Sequence, residues 1–116
     1  MLKKISFSIV ILFIATLSQA QQFTVATYNV RYDNRGDSLA GNGWKQRVPV
    51  IADLIRFHDF DIFGTQEAKF NQLQDMQELL KGYSRIGIGR DDGKEAGEFS
   101  AIFYKKYYIF IFIRKN

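Results

Sequence analysis

Three polar side chains near the ends of predicted strands are the best candidates for chemistry in this sequence. Asn29 lies late in the first predicted strand, and Gln66 and Glu67 directly follow the strand predicted over 61–65. In α/β folds, side chains just past the carboxyl ends of strands face the ligand crevice. A carboxylate and an amide oxygen at neighbouring strand ends suit a hard cation such as Mg²⁺, which completes its shell with water and substrate phosphate oxygens. The spacing therefore indicates a divalent-metal site.

Each of these residues also has an ordinary structural role open to it. An asparagine within a strand commonly caps or bonds a neighbouring loop, and a glutamate at a strand end is commonly solvated. Spacing alone leaves both the metal-binding and the structural interpretation open.

An alternation of strands and helices must bring the three residues together. Residues 22–32 are rich in β-branched and aromatic types, which predicts a strand, and apolar residues on both faces at its start predict an interior strand. Apolar residues at helical spacing predict helices over 44–58 and 70–80, with Pro49 expected to kink the first or to delay its regular start. The remaining segments are predicted as a loop over 33–43, a buried strand over 61–65, an alternating segment over 83–89, a charged hairpin-type loop over 90–97 and a strand over 98–104. The predicted order is β-α-β-α-β-β.

The composition limits the chain to one small domain and excludes several chemistries. The 116 residues include no Cys, one His and one Pro, and 47% of them are hydrophobic. This apolar fraction is typical of a folded chain rather than a disordered one. The absence of Cys excludes disulfides, thiolate-bound metals and a thiol nucleophile, and a single His excludes any site that needs two histidines from this chain.

Residues 1–20 are predicted to be a secretory signal peptide. Two lysines precede an apolar stretch over 5–17, and the small residues Ser18 and Ala20 stand before a cut after position 20. This three-part pattern is typical of a cleaved signal. A retained membrane anchor is the alternative, but the apolar stretch is short against the ~20 residues that cross a bilayer. The sequence therefore predicts export to the periplasm or the cell exterior, with no stable membrane span after cleavage.

The formal net charge of +4 comes from the two ends of the chain. Residues 1–20 and 105–116 carry only basic charges, whereas residues 21–104 hold ten basic and twelve acidic side chains, a balance of −2. The body of the chain therefore lacks the net charge typical of nucleic-acid binding, and charge does not indicate nucleic acid as a partner.

The last residues, 105–116, differ in character from the body. Residues 107–113 read YYIFIFI, an unbroken apolar run followed by Arg, Lys and Asn. One interpretation is a buried strand, and another is an exposed, aggregation-prone segment. The third and favoured one is an aberrant, frameshifted tail, because these residue types have A/T-rich codons. The predicted organisation is a signal peptide over 1–20, part of a domain over 21–104 and an aberrant tail over 105–116.

Four sequence blocks resemble one protein family. They read TYNVRY at 27–32, WKQR at 44–47, DIFGTQEA at 61–68, and GRDDG at 89–93 followed by GE at 97–98 and AIFY at 101–104. Their order and spacing resemble the endonuclease/exonuclease/phosphatase superfamily of deoxyribonuclease I-like, metal-dependent phosphohydrolases. The likeness is greatest to exported members from Bacteroidetes-type bacteria.

The resemblance implies a fold and a set of site residues. The implied fold is α/β (α+β), the N-terminal half of a four-layer α-β-β-α sandwich, left incomplete. Glu67 matches the family's ligand for a divalent cation, Mg²⁺ or Mn²⁺. Asn29 matches the asparagine on the metal and phosphate side, and Gln66 is expected to shape the site. Arg90 and Asp91 lie on a loop near the substrate rim, with a solvated hairpin as their alternative.

The resemblance also implies metal-assisted phosphoester hydrolysis, with water activated by an Asp–His pair. The family blocks that supply this pair, resembling NTH, GDFN and SDH, belong to the second half of the family domain and do not occur in this sequence. His58 lies outside all four blocks and is expected to pack locally or to favour the helix C-terminus. Arg47 is expected to orient the first helix or a loop.

The expected function is therefore that of a truncated member of a Mg²⁺-dependent phosphoester hydrolase family, inactive as this 116-residue chain. The phosphoester substrate and the oligomeric state stay open. A second interpretation supplies the missing half from another chain or from a corrected reading of the gene. A third is a non-enzymatic, exported binding or association module that uses the residual sheet.

Overall fold

The computed structural model describes residues 22–107 as a four-stranded sheet packed against helices. In chain order the elements are β1 (Val25–Asn29), α1 (Arg35–Leu39), α2 (Trp44–His58), β2 (Ile62–Ala68), α3 (Phe70–Leu79), β3 (Tyr83–Ile86) and β4 (Phe99–Lys105). The predicted α/β fold class is confirmed, and each predicted helix and strand is present. The predicted signal peptide and residues 108–116 of the predicted tail lie outside the described residues.

The sheet has the order β1-β2-β4-β3, so β1 is an edge strand among residues 22–107. β1 pairs in parallel with β2, and β4 pairs antiparallel with both β2 and β3. Within residues 22–107 the prediction of an interior first strand is wrong, because β1 has a neighbour, β2, on one side only. Apolar residues on one of its faces stay exposed there, with Val25 66% exposed. The parallel pairing sets Asn29 opposite Gln66, where both strands approach their carboxyl ends.

The core lies between one face of the sheet and the helices α2 and α3. Ile55 of α2 and Leu73 and Met76 of α3 are almost fully buried against it. At its centre Phe63 of β2 stacks on Phe103 of β4, with ring centroids 4.9 Å apart. Burying side chains of this size stabilises the fold by about 1.5–3 kcal/mol each. This packing holds the strands in register and so fixes where their carboxyl ends lie.

Helix α2 spans the whole of the predicted helix, with Pro49 inside it. Its regular start is at Trp44, so of the two effects expected of Pro49, a kink or a delayed start, the delayed start does not occur. Pro49 lies in the second turn, where its ring removes one backbone donor from the helix. None of the helices within residues 22–107 combines the length and apolarity needed to span a bilayer.

The predicted loop over 33–43 contains the short helix α1, which sequence periodicity does not reveal. Asn34 is its N-cap, and Oδ1 of Asn34 accepts a 2.9 Å hydrogen bond from the backbone N–H of Asp37. A five-residue helix is too short to show an apolar stripe. Its Gly, Asp and Ser residues, like the Asn cap, are equally typical of a turn.

Strand β2 continues to Ala68, beyond the predicted strand over 61–65. Its pairing with β4 shifts between Thr65 and Ala68, which marks a β-bulge. Glu67 lies in this bulge with a φ of 60°, in the left-handed region. The prediction that Gln66 and Glu67 follow the strand is therefore wrong, because both lie within it and the irregularity redirects the Glu67 side chain.

The other face of the sheet is open to solvent in the part of the chain that the structure describes. Val25, Ile86 and Ile102 lie on this face and are 66%, 57% and 43% exposed. Gly64 lies between Thr27 and Ile102 in one row across the strands. The described residues thus form helices and one sheet of the predicted sandwich, with the second sheet face uncovered.

Candidate active site

Asn29 and Glu67 meet where β1 and β2 approach their carboxyl ends. Nδ2 of Asn29 donates a 2.7 Å hydrogen bond to Oε1 of Glu67. Oδ1 of Asn29 accepts a 2.8 Å hydrogen bond from the backbone N–H of Arg31. The Asn29 amide is therefore held at both ends and orients the carboxylate. Within residues 22–107 no hydrogen bond occupies Oε2 of Glu67, which is available to a ligand.

One partner in this contact, Glu67, and the nearby Arg31 have an uncommon backbone conformation. Glu67 has a φ of 60° and Arg31 has a φ of 55°. The left-handed conformation costs a residue with a Cβ about 1–2 kcal/mol. Such conformations persist where the surrounding structure enforces them, and they cluster at functional sites.

Gln66 precedes Glu67 but its side chain points to β1. Nε2 of Gln66 donates a short hydrogen bond to Oγ1 of Thr27. The backbone oxygen of Gln66 accepts a 3.1 Å bond from the N–H of Val30. Gln66 thus ties β2 to β1 beside the carboxylate. This contact fits a role in shaping the site, which stays a prediction.

The segment that follows β1 is held by side chains that donate hydrogen bonds to its backbone carbonyl groups. Nη1 of Arg47 donates to the oxygen of Val30 at 2.7 Å, and both of its Nη atoms lie 3.3 Å from the oxygen of Arg31. Nε2 of Gln72, a fully buried side chain of α3, donates to the same Arg31 oxygen at 3.0 Å. Arg47 therefore orients the loop after β1. The apolar pattern of α3 does not reveal Gln72, whose one sequence signal is its place in the first turn of that helix.

Arg31 forms a bidentate ion pair with Asp37 of α1. Its Nε and Nη2 donate to the two carboxylate oxygens at 2.5 and 2.8 Å, and Nδ2 of Asn34 adds a bond of 2.8 Å. The Arg31 hydrogen bonds, aided by Asn34, lower the pKa of Asp37 to about 2. The same pairing raises the pKa of Arg31. The charge of Arg31, two residues after Asn29, is therefore paired with that of Asp37.

A groove of about 480 Å³ opens beside Glu67, between the end of β2 and the hairpin that joins β3 to β4. Gln66, Arg90 and Glu98 also line it. The Arg90 side chain is 68% exposed, and its Nη1 lies 3.2 Å from Oε2 of Glu98. The structure thus brings Arg90 to the same groove as Glu67. Asp91 does not line this groove and contacts Nε of Arg90 at 3.4 Å.

The hairpin that carries Arg90 is fixed by its own polar contacts. Oδ1 of Asp92 accepts hydrogen bonds from the backbone N–H groups of Lys94 at 2.7 Å and Ala96 at 3.0 Å. These backbone donors lower the pKa of Asp92. The prediction of a charged, hairpin-type loop is confirmed.

The oxygen ligands at the carboxyl ends of β1 and β2 suit a hard cation that water and substrate oxygens also help to bind. Within residues 22–107 no three His, Cys, Asp or Glu side chains form a cluster that would hold a metal ion. Glu67 supplies one carboxylate, while the oxygen of Asn29 already accepts the Arg31 N–H. Mg²⁺ is typically bound through one or two carboxylates together with water and substrate phosphates. The residues present therefore fit such an ion through Glu67.

His58 is the last residue of α2 and does not line the groove. Its ring stacks on Phe60, with centroids 5.3 Å apart and planes at 7°. The local packing role expected for this histidine agrees with that contact.

Comparison with solved structures finds similar proteins over the described part of the chain. The chain is similar to an endonuclease/exonuclease/phosphatase family protein from Bacteroides thetaiotaomicron, with 58% identity, a TM-score of 0.75 and coverage of 77% of this chain and 33% of that one. It is similar to a mannosyl-6-phosphatase from the same organism, with 59% identity, a TM-score of 0.73 and coverage of 74% and 32%. A family protein from Bacteroides vulgatus has 48% identity, a TM-score of 0.66 and coverage of 70% and 30%.

The chain spans about one third of the length of these proteins. No protein-family model matches it, and no curated protein does.

Proposed function

This chain belongs to the endonuclease/exonuclease/phosphatase family, and we propose that its residues 22–107 supply the metal-binding part of a phosphoester hydrolase site. The observation that carries the proposal is the hydrogen bond between Asn29 and Glu67 at adjoining strands. The matched region is about one third of each relative. The proposed activity is therefore that of a complete family domain, and we propose that this chain alone does not turn over substrate.

Each residue at the site has a proposed task. A divalent cation, Mg²⁺ or Mn²⁺, would supply the Lewis acidity that polarises a phosphoryl oxygen and offsets charge on the leaving group. Glu67 would hold that ion through its carboxylate, in the orientation that Asn29 sets. Arg90 would contact the substrate from the groove wall, since a planar guanidinium suits phosphate oxygens and hydroxyl groups.

We propose a phosphorylated carbohydrate as the substrate class. A relative with 59% identity is named a mannosyl-6-phosphatase, which supports a sugar phosphate for this chain as well. The groove of about 480 Å³ is of the size typical of small-molecule sites, ~300–1,000 Å³. Arg90 and Glu98 together offer a donor and an acceptor, which suits hydroxyl groups. The balance of −2 over residues 21–104 does not favour nucleic acid.

Paramagnetic Mn²⁺ added to the isotope-labelled chain tests the metal assignment. We expect the NMR signals of Asn29 and Gln66 to broaden first, and Glu67→Gln to abolish this effect. Glu98→Gln is the matched control, because it removes a carboxylate from the same groove while leaving the Asn29 contact intact. Equal broadening in the wild type and in Glu67→Gln would overturn the assignment.

A chimaera tests the activity. In it, residues 22–105 replace the matching region of the Bacteroides thetaiotaomicron mannosyl-6-phosphatase. We expect phosphate release from mannose 6-phosphate, and a fall of at least ~100-fold with Glu67→Gln, because loss of a metal ligand removes the polarising ion. Retention of full activity by Glu67→Gln would contradict the proposal.

A second candidate function is an association module that uses the open sheet face. The exposure of Val25, Ile86 and Ile102 on that face favours it. It predicts a concentration-dependent oligomer that Ile102→Lys dissociates, measured by analytical ultracentrifugation. A monomer at all concentrations would exclude it.

We also propose that the protein is exported, because residues 1–20 have the pattern of a cleaved signal peptide. N-terminal sequencing of the secreted fraction is expected to begin at position 21. Recovery of residues 1–20 on the protein in the cytoplasmic fraction would contradict this proposal.

A further inference from the structure

We propose that Arg47 is a positioning residue for the Asn29–Glu67 pair, an inference that rests on the proposed metal-binding role of Glu67. The guanidinium of Arg47 makes no hydrogen bond to either of these side chains. It donates instead to the backbone that directly follows Asn29, at the oxygens of Val30 and Arg31. Arg47 thus acts on the candidate metal site through two carbonyl groups.

The contacts form one continuous series from α2 to the carboxylate. Arg47 holds the two consecutive carbonyl groups of Val30 and Arg31, and the Val30 carbonyl belongs to the same peptide unit as the Arg31 N–H. The N–H of Arg31 then donates to Oδ1 of Asn29 at 2.8 Å. Because an amide side chain has its acceptor and its donors at opposite corners, this bond turns Nδ2 toward Glu67, 2.7 Å away. The orientation of the carboxylate therefore depends on where Arg47 places the backbone.

The backbone at Arg31 needs such support because of its conformation. Arg31 has a φ of 55°, which is unfavourable for a residue with a side chain. Within the described part of the chain, four side-chain hydrogen bonds hold the carbonyls of Val30 and Arg31, three from Arg47 and one from Gln72. Without Arg47, the segment is expected to relax toward an ordinary backbone conformation, which withdraws the Arg31 N–H from Asn29.

Arg47 is in turn fixed to a rigid part of the fold. Its guanidinium carbon lies 5.6 Å from the centre of the Trp44 ring. Trp44 is 2% exposed, and its indole N–H donates to Asp75 of α3 at 2.7 Å. Through these contacts, the packed helices α2 and α3 fix where the Arg47 guanidinium lies, and so where it holds the backbone after β1.

The arginine at this position also carries a cost to the stability of the fold. The Nε of Arg47 is buried and finds no hydrogen-bond partner among residues 22–107. A buried donor without an acceptor destabilises a fold. Departures from local rules of this kind are typical of functional positions, where a precise geometry is kept at some cost.

The test compares Arg47→Met with Arg56→Met in the full 116-residue chain. Both arginines are on α2, and Nη2 of Arg56 also donates to a carbonyl oxygen, that of Leu79, at 2.7 Å. The two readouts are the Mn²⁺ dissociation constant, measured by electron paramagnetic resonance, and the NMR signals of the Asn29 side-chain amide. We expect Arg47→Met to weaken Mn²⁺ binding about 10-fold and to shift the Asn29 signals, as loss of an outer-shell partner does at metal sites. Arg56→Met is expected to change neither.

Arg47→Lys is the conservative variant, because lysine keeps the positive charge and a hydrogen-bond donor group at this position and is less disruptive to the fold than methionine. It is expected to give an intermediate Mn²⁺ affinity. The proposal is overturned if Arg47→Met and Arg56→Met destabilise the chain alike while the Asn29 signals and Mn²⁺ affinity stay unchanged. If the wild type binds no Mn²⁺, the proposed function fails, and the Asn29 signals alone decide whether Arg47 positions that side chain.

Discussion

Asn29 of β1 and Glu67 of β2 are 38 positions apart in the chain and share a hydrogen bond of 2.7 Å. Two features produce this contact. Parallel pairing sets Asn29 opposite Gln66. The bulge between Thr65 and Ala68 then directs the side chain of Glu67 toward Asn29. A register shift of one residue would send either side chain to the other face of the sheet. The contact is thus a sensitive measure of whether the sheet is correctly formed.

Asn29→Asp is expected to couple the stability of the chain to divalent cations. The new carboxylate would face Glu67 at hydrogen-bond distance, and the two like charges should lower the metal-free free energy of unfolding by about 1–2 kcal/mol. Saturating Mg²⁺ should restore most of this loss, since paired carboxylates favour the ion. Urea unfolding with and without Mg²⁺ measures both effects. Asn29→Leu is the control and should respond to Mg²⁺ far less, whereas an equal response of the two variants would contradict the assignment.

Glu67→Gly is expected to leave the chain more stable than Glu67→Ala, although both variants remove the candidate metal ligand and its hydrogen bond from Asn29. The φ of 60° at this position is unfavourable for glutamate and readily adopted by glycine. The expected advantage of glycine over alanine in the free energy of unfolding is up to about 1 kcal/mol, because the flexibility of glycine in the unfolded chain offsets part of the relief. The matched control, Glu67→Ala, also loses the carboxylate but keeps a Cβ. Equal stability of the two variants would show that the backbone at position 67 is not strained.

Asp37→Asn is expected to reduce the loss of stability that the fold undergoes at low pH. The pKa of Asp37 is about 2, below its ordinary value of 3.8, because Arg31 hydrogen-bonds the carboxylate. A group whose pKa is depressed by folding contributes its stabilisation above the unfolded value and loses it as pH falls toward the folded value. Wild-type stability should therefore decline between pH ~4 and pH ~2, and less so in Asp37→Asn. Denaturant midpoints across this range test the prediction. Asp53→Asn, which removes a more exposed carboxylate paired with Arg56, should leave the decline unchanged.

Lys105→Met is expected to destabilise the chain more than Lys106→Met. Nζ of Lys105 lies 3.1 Å from a carboxylate oxygen of Asp61, which is 6% exposed, and 2.9 Å from one of Asp59. Loss of this lysine removes a positively charged partner from the Asp61 carboxylate, which is shielded from solvent. The expected loss in the free energy of unfolding is about 1–2 kcal/mol, less than for a fully buried pair. Among residues 22–107, Nζ of Lys106 donates only to the backbone oxygen of Lys81. Urea unfolding compares the two, and equal losses would contradict the role given to Lys105.

The same lysine gives a prediction at high pH. Burial lowers the pKa of Lys105, but hydrogen bonds to Asp59 and Asp61 outweigh burial, and the pKa is raised above its ordinary value of 10.5. Its stabilisation is therefore fully present at neutral pH and is lost only as pH rises past that value. The difference in unfolding free energy between wild type and Lys105→Met should shrink in that range.

The elements with strong local patterns could be predicted from the sequence. The two longer helices were recognisable because their apolar residues recur at helical spacing, and the strands because β-branched and aromatic residues cluster in them. Glu67 and Asn29 were recognisable as neighbours because parallel strands bring their carboxyl ends together.

Other features depend on contacts that no local pattern encodes. The bulge at Glu67 has no glycine to mark it, since a non-glycine residue takes the left-handed conformation there. The contacts of Arg47 and Gln72 with the Arg31 carbonyl join residues from three separate segments. The edge position of β1 follows from the order of the strands in the sheet, which its own apolar residues do not determine.

The parallel pairing of β1 and β2 also sets the order of events as the chain folds. Helical segments form within about 0.1–1 μs, whereas a parallel pair must first close the long loop that contains α1 and α2. A chain that emerges residue by residue therefore carries the Asn29 amide and the Glu67 carboxylate well before they meet. Affinity for a cation should therefore arise late in folding, when β1 pairs with β2. Cation binding should be a better measure of that step than helix content is.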